Sequence, residues 1–458
     1  MTEKHQDQND TSIAQRFYDS LIVSRQISRE QLNRYQQEVA TTLLEYVSQH
    51  SAWHANRMAP VLRNGQPDFN LWHEIPVLTK QELLADYHLW RIDDIPQSHG
   101  RLILTESSSS TGIAVALPKT QMTDTATACA GFRHAALFGI DYRAPLVMLR
   151  SLNPMLARIR SYDVEHERSA PVRRDQLWGP SWLDDSSRGP RHVMSVGLSC
   201  DQVLNRLDEI GGDAGGCYLN TSPSKALDLA DHVRIHKRHA PPLKAILSVG
   251  EVATAAHRHE IRTHLDCELI DVYATAETGP LAMQCPESGF YHVQSELGWV
   301  ELLNETGSPA QVGETGRVVV TPFYNLAMPL IRFDTGDLAV AGAACKCNSP
   351  HPVITKILGR SGAQLRDRKG RFISFSPDFA AMREHLGNCR WRLTQSFDGH
   401  VELQYMQTAD EEKINGPGAA ELIHQLCKDA DFDVSVREID VLGLTGGGKF
   451  ALTQRLVS

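Results

Sequence analysis

The sequence has no run of apolar residues long enough to cross a membrane, which takes about 18. Its first residues lack the basic and apolar regions of a secretory signal peptide. It also has no block of basic residues, and the formal charge of −9 argues against nucleic acid or an anionic membrane surface as the main partner. These absences predict a cytoplasmic protein that acts on small molecules.

The cysteines do not form a disulfide pattern. There are nine of them, an odd number scattered through a large chain, whereas disulfide frameworks occur in small secreted domains with paired cysteines. Most are therefore expected to be reduced, and some are available as metal ligands. The sequence also shows no internal repeat and no low-complexity tract.

The length of 458 residues predicts more than one domain, because single hydrophobic cores stop growing at about 250 to 300 residues. Short apolar runs, such as residues 146–149 and 245–249, alternate with helical patterns such as 253–265, which predicts α/β layers. After residue 359 the pattern restarts on a smaller scale and predicts, among other elements, a strand at 401–406 and a helix at 419–429. We therefore predict a large domain of layered sheets and helices, residues 1–358, and a small mobile α+β lid domain, residues 359–458.

Two helix starts carry capping boxes, in which a hydroxyl residue and a Glu or Gln three positions later satisfy each other's backbone amides. Ser28 and Gln31 begin a long amphipathic pattern that runs to about His54, and Thr79 and Glu82 begin a shorter helix. Residues 158–192, rich in Arg, Ser, Asp and Pro, are typical of a loop or excursion.

Several polar segments follow predicted strands, where an open α/β sheet places its ligand crevice. The hydroxyl-rich residues 105–112 offer groups that bind phosphate oxygens. Gly250 and Glu251 end a second strand, residues 271–277 follow a third, and residues 332–337 end a fourth. Each alone also has a plain explanation, as a solvated loop, a turn, a buried core tyrosine or a favourable helix start.

The order and spacing of these segments carry more weight than any one of them. They supply an aromatic ring for a nucleotide base, one carboxylate for magnesium and a second that can accept both ribose hydroxyls. Close to the C-terminus, the glycine-rich residues 446–448 precede Lys449, and an ammonium group near the α-phosphate would stabilise developing charge. Such a set suits an enzyme that activates carboxylates with ATP.

Together these segments resemble the adenylate-forming superfamily, and within it the phenylacetate-CoA ligase and CapK-like branch. The resemblance covers nearly the whole chain, from Leu78 to Lys449. Its most specific part is Pro-Leu-Ile-Arg-Phe-Asp-Thr-Gly-Asp at residues 329–337, and Tyr-Ala-Thr-Ala-Glu at 273–277 is similar to the family's Tyr-Gly-x-Thr-Glu. Gly-Arg at 359–360 is similar to its hinge strand.

The resemblance implies a role for each matched residue. Lys449 and Thr275 would act in the adenylation step with Glu277, which would also bind Mg²⁺. Tyr273 would lie beside adenine, and Asp337 would bind the ribose hydroxyls. The other nucleotide contacts implied are Ser107, Ser108, Ser110, Thr111, Gly112, Gly250, Glu251, Asp271, Ala274 and Arg360.

The chain departs from the family pattern at several positions. Ser109 replaces a glycine of the phosphate loop, Ala274 replaces the glycine after the tyrosine, and Ala276 replaces a threonine. Residues 362–363 stand where acidic residues are common in the hinge. These changes leave open slow adenylation, a transfer of phosphate contacts to Thr275 or Thr111, or a protein that binds nucleotide without turning it over.

Four residues in the second half of the chain predict a structural zinc site. Cys285, His292, Cys345 and Cys347 would complete a tetrahedral shell of three thiolates and one imidazole, with His351 as a spare ligand. A similar pattern occurs in the CapK-like branch. Unrelated buried thiols are the alternative explanation.

The reaction implied by the resemblance is ATP-dependent activation of a carboxylic acid through acyl-AMP, followed by acyl transfer to the thiol of CoA or of a carrier protein. An amide-forming ligase with an amine acceptor is one alternative, and a non-catalytic nucleotide-binding scaffold is an alternative of a different class. The acid would be aromatic or a small hydrophobic carboxylate, with ATP/AMP, Mg²⁺ and structural Zn²⁺ as cofactors. Homodimers are common in the family, so a homodimer is one state to expect.

Overall fold

The structure is a computed structural model that describes residues 2–106, 116–150, 177–373, 375–407, 414–427, 430–442 and 452–455. Its helices are α1 (Thr2–Val23), α2 (Arg29–His50), α3 (Ala52–Met58), α4 (Lys80–Ala85), α5 (Gln121–Leu137), α6 (Cys200–Ala214), α7 (Pro223–Ile235), α8 (Ala255–Leu265), α9 (Phe379–Leu386) and α10 (Gly416–Leu426). None of these described helices has both the length and the apolar character needed to cross a bilayer.

The strands fall into one large sheet, one small sheet and two hairpins. They are β1 (Leu62–Arg63), β2 (Gln66–Pro67), β3 (Leu102–Glu106), β4 (Ala116–Thr120), β5 (Leu146–Arg150), β6 (Arg191–Ser195), β7 (Cys217–Thr221), β8 (Leu243–Ser248), β9 (Glu268–Thr275), β10 (Gly279–Gln284), β11 (Tyr291–Val293), β12 (Gly298–Leu303), β13 (Thr315–Pro322), β14 (Phe333–Gly342), β15 (Val353–Arg360), β16 (Arg390–Gln395), β17 (Val401–Met406), β18 (Val434–Glu438) and β19 (Thr453–Arg455).

The large sheet has eleven strands in the order β12-β13-β14-β15-β11-β10-β9-β8-β7-β5-β6. Strands β5 to β9 pair in parallel, and α6, α7 and α8 lie between them in the chain. In the other half of the sheet, along the strand order from β9 through β10, β11, β15, β14 and β13 to β12, every neighbouring pair is antiparallel. The predicted α/β class is confirmed. We call this sheet and its helices the large lobe.

Local sequence signals account for the helix starts. The amide of Gln31 donates to the Ser28 hydroxyl at 3.1 Å, and the Ser28 amide donates back to the Gln31 side chain at 2.8 Å. The same reciprocal pair forms between Thr79 and Glu82. Both predicted capping boxes are confirmed. The predicted long helix stops at His50 rather than near His54, because Ser51 caps the next helix.

The small sheet has the order β18-β17-β16-β19, and α9 and α10 contribute to a separate apolar core with it. We call these elements the small lobe. The predicted strand 401–406 is confirmed, and the predicted helix 419–429 runs instead from Gly416 to Leu426. Because β15 carries the large sheet through to Arg360, the division of the chain at residue 359 stays a prediction.

Candidate active site

Three of the predicted nucleotide residues meet in the antiparallel half of the large sheet. Tyr273 lies on β9 and Asp337 on β14, with β10, β11 and β15 between them in the strand order. Four strand spacings of about 4.8 Å would put about 19 Å between them in a flat sheet. Because the Tyr273 hydroxyl nevertheless contacts Asp337, this half of the sheet curls strongly. Its concave side holds an apolar core that includes Phe333 and Ile354.

The Asp337 carboxylate has a partner on each oxygen. The Tyr273 hydroxyl donates to Oδ2 at 2.8 Å, and Nε of Arg360 lies 3.3 Å from Oδ1. Arg360 faces Asp337 directly across the β14–β15 pair and also donates to the Thr335 carbonyl at 2.5 Å. Burial raises the pKa of Tyr273, and the charge of Asp337 raises it further, so the hydroxyl stays a donor.

Glu277 lies close to this group and forms an ion pair with Lys80. The Lys80 ammonium is 3.0 Å from Glu277 Oε1, and the glutamate side chain is only 7% exposed. Burial alone would raise the pKa of Glu277, but the charge and hydrogen bond of Lys80 outweigh it, so the net pKa is lowered. The charge of Arg360 lowers it further. Glu277 is therefore held as a carboxylate within reach of the Asp337 group.

Sequence reasoning did not assign a role to Lys80. The capping box of Thr79 and Glu82 predicted that Lys80 opens a helix, but its partner is 197 residues further along the chain. Arg332, the first residue of the segment 332–337, has a structural role. Its guanidinium pairs with Glu301 at 2.9 Å and donates to the carbonyl of Ile75 at 2.6 Å, all in the protein interior.

The remaining predicted contacts have the following local partners and geometry. The Thr275 hydroxyl pairs with that of Thr278 at 2.8 Å, and Glu251 accepts from the backbone amide of Ser224 at 3.2 Å, at the start of α7. Ala274 faces Pro280 across the β9–β10 pair. Gly250 has φ of 90°, a left-handed conformation that favours glycine. Ser107, Ser108, Ser110, Thr111, Gly112 and Lys449 lie outside the described residues.

Asp271 lies in the interior. Its side chain accepts a hydrogen bond from the Tyr291 hydroxyl at 2.6 Å and lies 3.9 Å from the Arg258 guanidinium. Only 3% of the residue is exposed, and burial raises its pKa. These contacts engage the carboxylate within the protein, and the role of Asp271 as a nucleotide contact stays a prediction.

The four predicted zinc ligands come together. Cys285 follows β10, His292 lies on β11, and Cys345 and Cys347 lie in the β14–β15 connection; their ligand atoms are all within 4.8 Å of one another. The Cys285 and Cys345 sulfurs are 3.9 Å apart, close to the edge of about 3.8 Å of a tetrahedron with Zn–S bonds of about 2.3 Å. The donor set and its size therefore fit a zinc ion.

The spare ligand of the sequence prediction, His351, is engaged elsewhere. Its Nε2 is 2.8 Å from Glu296, and its Nδ1 is 2.9 Å from the Ser349 hydroxyl. Glu296 is also bound by Arg133 at 2.6 Å, deep in the protein. This buried charge network lies beside the cysteine cluster and ties the segment carrying Cys347 to α5.

Two curated phenylacetate-coenzyme A ligases share part of the sequence. The one from Thermus thermophilus is 31% identical over 156 residues, which are 32% of this chain and 35% of that protein. The one from Escherichia coli is 28% identical over 154 residues, 32% of this chain and 30% of that protein. The chain thus spans about a third of the length of the curated relatives it matches. No known family profile matches it.

Solved structures share the fold over most of the chain. A 2-hydroxyisobutyryl-CoA ligase in the post-adenylation state with R3-HIB-AMP has a TM-score of 0.66 at 15% identity, covering 93% of this chain and 88% of that one. The same ligase in the thioesterification state with 2-HIB-AMP and CoA has a TM-score of 0.55 at 14% identity, covering 91% and 88%. An amide bond synthetase from Marinactinospora thermotolerans has a TM-score of 0.50 at 13% identity, covering 78% and 69%.

The fold is therefore that of the adenylate-forming ligases. Within this class, the sequence is similar to the phenylacetate-CoA ligases, so the resemblance predicted from the motifs is confirmed.

The Lys80–Glu277 pair makes a prediction about stability. In Lys80→Met the main partner that lowers the pKa of Glu277 is lost, so burial raises this pKa and a poorly compensated carboxylate is buried at neutral pH. The free energy of unfolding should fall by about 3 kcal/mol at pH 7.5. Because protonation of Glu277 removes the unpaired charge, the deficit should shrink as the pH falls towards 5. Urea unfolding at both pH values measures this.

The matched control is Lys356→Met, which removes an exposed lysine from β15. Its effect should stay within about 0.5 kcal/mol at either pH. A deficit in Lys80→Met that is equally small, or that does not change with pH, would contradict the account of this pair.

Proposed function

We propose that the chain is an AMP-forming acid ligase, which joins a carboxylic acid to the AMP part of ATP and then transfers the acyl group to a thiol of CoA or of a carrier protein. The observation that carries the proposal is the meeting of Tyr273, Asp337 and Arg360, with Glu277 held ionised beside them. The sequence match to phenylacetate-CoA ligases and the fold shared with a ligase bound to an acyl-AMP support it.

Asp337 is the proposed ribose ligand. A carboxylate has enough lone pairs to accept both ribose hydroxyls while keeping one protein donor. The Tyr273 hydroxyl and the Arg360 guanidinium fix its orientation in advance, which reduces the entropy lost when the nucleotide binds. The aromatic ring of Tyr273 would then lie beside the adenine base.

Glu277 is the residue that would hold Mg²⁺, and the ion would supply positive charge to the phosphates. The lowered pKa of Glu277 suits this role, because a hard cation prefers an ionised carboxylate. Thr275, two residues before it at the end of β9, carries a hydroxyl that would lie in the same region. Phosphate contacts by residues 107–112 and transition-state stabilisation by Lys449 complete the proposed site.

The acceptor and the acid are narrower proposals. The sequence relatives favour a thioester-forming ligase with an aromatic or small hydrophobic acid. The fold shared with an amide bond synthetase keeps an amine acceptor as the second candidate. Both candidates use the same acyl-AMP, so they differ only in the nucleophile.

The small lobe is proposed to act as a lid. In this proposal residues 359–458 rotate about Gly359 to Ala363 between adenylation and acyl transfer, and Gly362 provides backbone freedom. The TM-score of 0.66 to the post-adenylation state exceeds the 0.55 to the thioesterification state of the same ligase. This difference supports an arrangement of the two lobes nearer to the adenylating one.

Pyrophosphate exchange into ATP tests the adenylation step. The wild-type protein, given phenylacetate, benzoate and 2-hydroxyisobutyrate in turn, should exchange in an acid-dependent way. Lys449→Ala should lower the rate by about a hundredfold or more, since it removes a group that stabilises developing charge, while Lys356→Met should leave it unchanged. ATP binding without exchange for a broad panel of acids would instead identify a nucleotide-binding scaffold.

The nucleophile that accepts the acyl group can be identified by a trapping experiment. The acyl-AMP formed with the best acid is offered CoA, a pantetheine-loaded carrier protein or simple amines, and the products are identified by mass spectrometry. Thioester formation should dominate. Faster amide formation would replace the thioester proposal by its amine alternative.

Zinc is proposed for the cluster of Cys285, His292, Cys345 and Cys347, as a structural ion without an open coordination position. It would link the β10–β11 hairpin to the β14–β15 connection, on the same strand pair that carries Asp337 and Arg360.

Elemental analysis of the purified protein should find about one zinc ion per chain. Cys285→Ser should lose zinc and lower the midpoint of thermal unfolding, because the binding energy of a structural ion stabilises the fold. The control Cys200→Ser, at a cysteine outside the cluster, should keep its zinc. A wild-type protein without zinc after growth in zinc-rich medium would contradict the assignment.

A further inference from the structure

The small lobe rests on α7 and α8 of the large lobe through both apolar and polar contacts. Leu227 of α7 and Ala256 of α8 pack against the apolar core of the small lobe. Arg383 on α9 donates to Glu260 on α8 at 2.9 Å and lies 3.8 Å from Asp231 on α7. Arg390 on β16 pairs with Asp228, also on α7. In these ion pairs the small lobe supplies the cations and the large lobe the carboxylates.

Two further contacts cross the interface. Arg234 of α7 donates to the side chain of Asn388 at 2.6 Å, and the rings of His257 and Phe379 pack edge to face with centroids 5.1 Å apart. The interface is therefore mixed in character. Interfaces between domains of one chain are typically smaller and more polar than permanent ones, and relative motion of the domains is then expected.

The ion pairs differ in what their loss would cost. The Asp228 and Arg390 side chains are 31% and 46% exposed, and pairs in water contribute little because solvent screens them. The Glu260 side chain is only 3% exposed, and Arg383 is its hydrogen-bonded partner across the interface. His264, on the same helix, lies 3.5 Å from the other Glu260 oxygen, but Arg383 is the partner that always carries a charge, and its removal leaves the buried carboxylate poorly compensated. Glu260 and Arg383 therefore dominate the electrostatics of the interface.

We propose that Glu260 is a positioning residue that, through Arg383, holds the small lobe in the arrangement in which acyl-AMP forms. The inference rests on the proposed function and adds the control of its lid. Rotation of the small lobe would separate Arg383 from Glu260, and water would then solvate both charges. The strength of this one pair thus sets how the protein divides its time between the two half-reactions.

Separate assays of acyl-AMP formation and of acyl transfer distinguish this positioning role from a general structural role. In Glu260→Gln and in Arg383→Gln, acyl-AMP formation should fall by about twofold to a hundredfold, the range of couplings between contacting residues. Conversion of supplied phenylacetyl-AMP to thioester should not fall, because the weakened contact belongs to the other arrangement. The double variant should be no slower in acyl-AMP formation than the slower single variant.

The matched control is Glu268→Gln, which breaks an exposed ion pair with Arg262 within the large lobe. It should change neither half-reaction. A parallel fall of both half-reactions in Glu260→Gln, or no change in either, would overturn the proposal.

A measurement of lobe arrangement does not depend on catalysis. Dyes are attached through unnatural amino acids at Val312 in the large lobe and Phe397 in the small lobe, two positions that are 68% and 67% exposed. Single-molecule energy transfer should show one main distance in the wild type at low salt, and added salt should increase a second population only slightly, because a buried pair is screened little. Glu260→Gln should show the second population already at low salt.

Identical distance distributions in the wild type and Glu260→Gln at every salt concentration would overturn the proposal. If these distributions differ as expected while pyrophosphate exchange is absent for every acid, the proposed enzyme function fails and the interlobe contact stands. The two failures are therefore distinguishable.

Discussion

The curl of the large sheet is the constraint on which the candidate site depends. Tyr273 and Asp337 are separated by three intervening strands, so only a sheet that bends back over its own core can bring the hydroxyl of one within 2.8 Å of the carboxylate of the other. The apolar side chains on the concave side drive that bend, since burying them requires β14 to approach β9. The site is thus a consequence of how the core packs.

Buried charges are paired wherever they flank this site. Lys80 holds Glu277 ionised, and Arg332 joins Glu301 to the carbonyls that precede α4. A buried charge without a partner would shift its pKa and lose its ionised form. The Lys80 pair therefore keeps Glu277 ionised in a place where burial alone would favour its neutral form.

Local patterns made much of this fold predictable from the sequence. The capping boxes at Ser28 and Thr79 and the strand at 401–406 depend on neighbours within a few residues, so the sequence contained their cause. The clustering of Cys285, His292, Cys345 and Cys347 was also predictable from residue type. The pairing of Lys80 with Glu277, the diversion of His351 to Glu296 and the interlobe contact of Glu260 were not, because each joins distant segments that only packing brings together.

The most direct test of the central claim is a crystal structure of the protein with Mg²⁺ and a non-hydrolysable ATP analogue. The account predicts the adenine beside the Tyr273 ring, both ribose hydroxyls on Asp337 and the metal ion on Glu277. A nucleotide bound elsewhere, or crystals soaked to saturation in which Asp337 contacts no nucleotide, would contradict it.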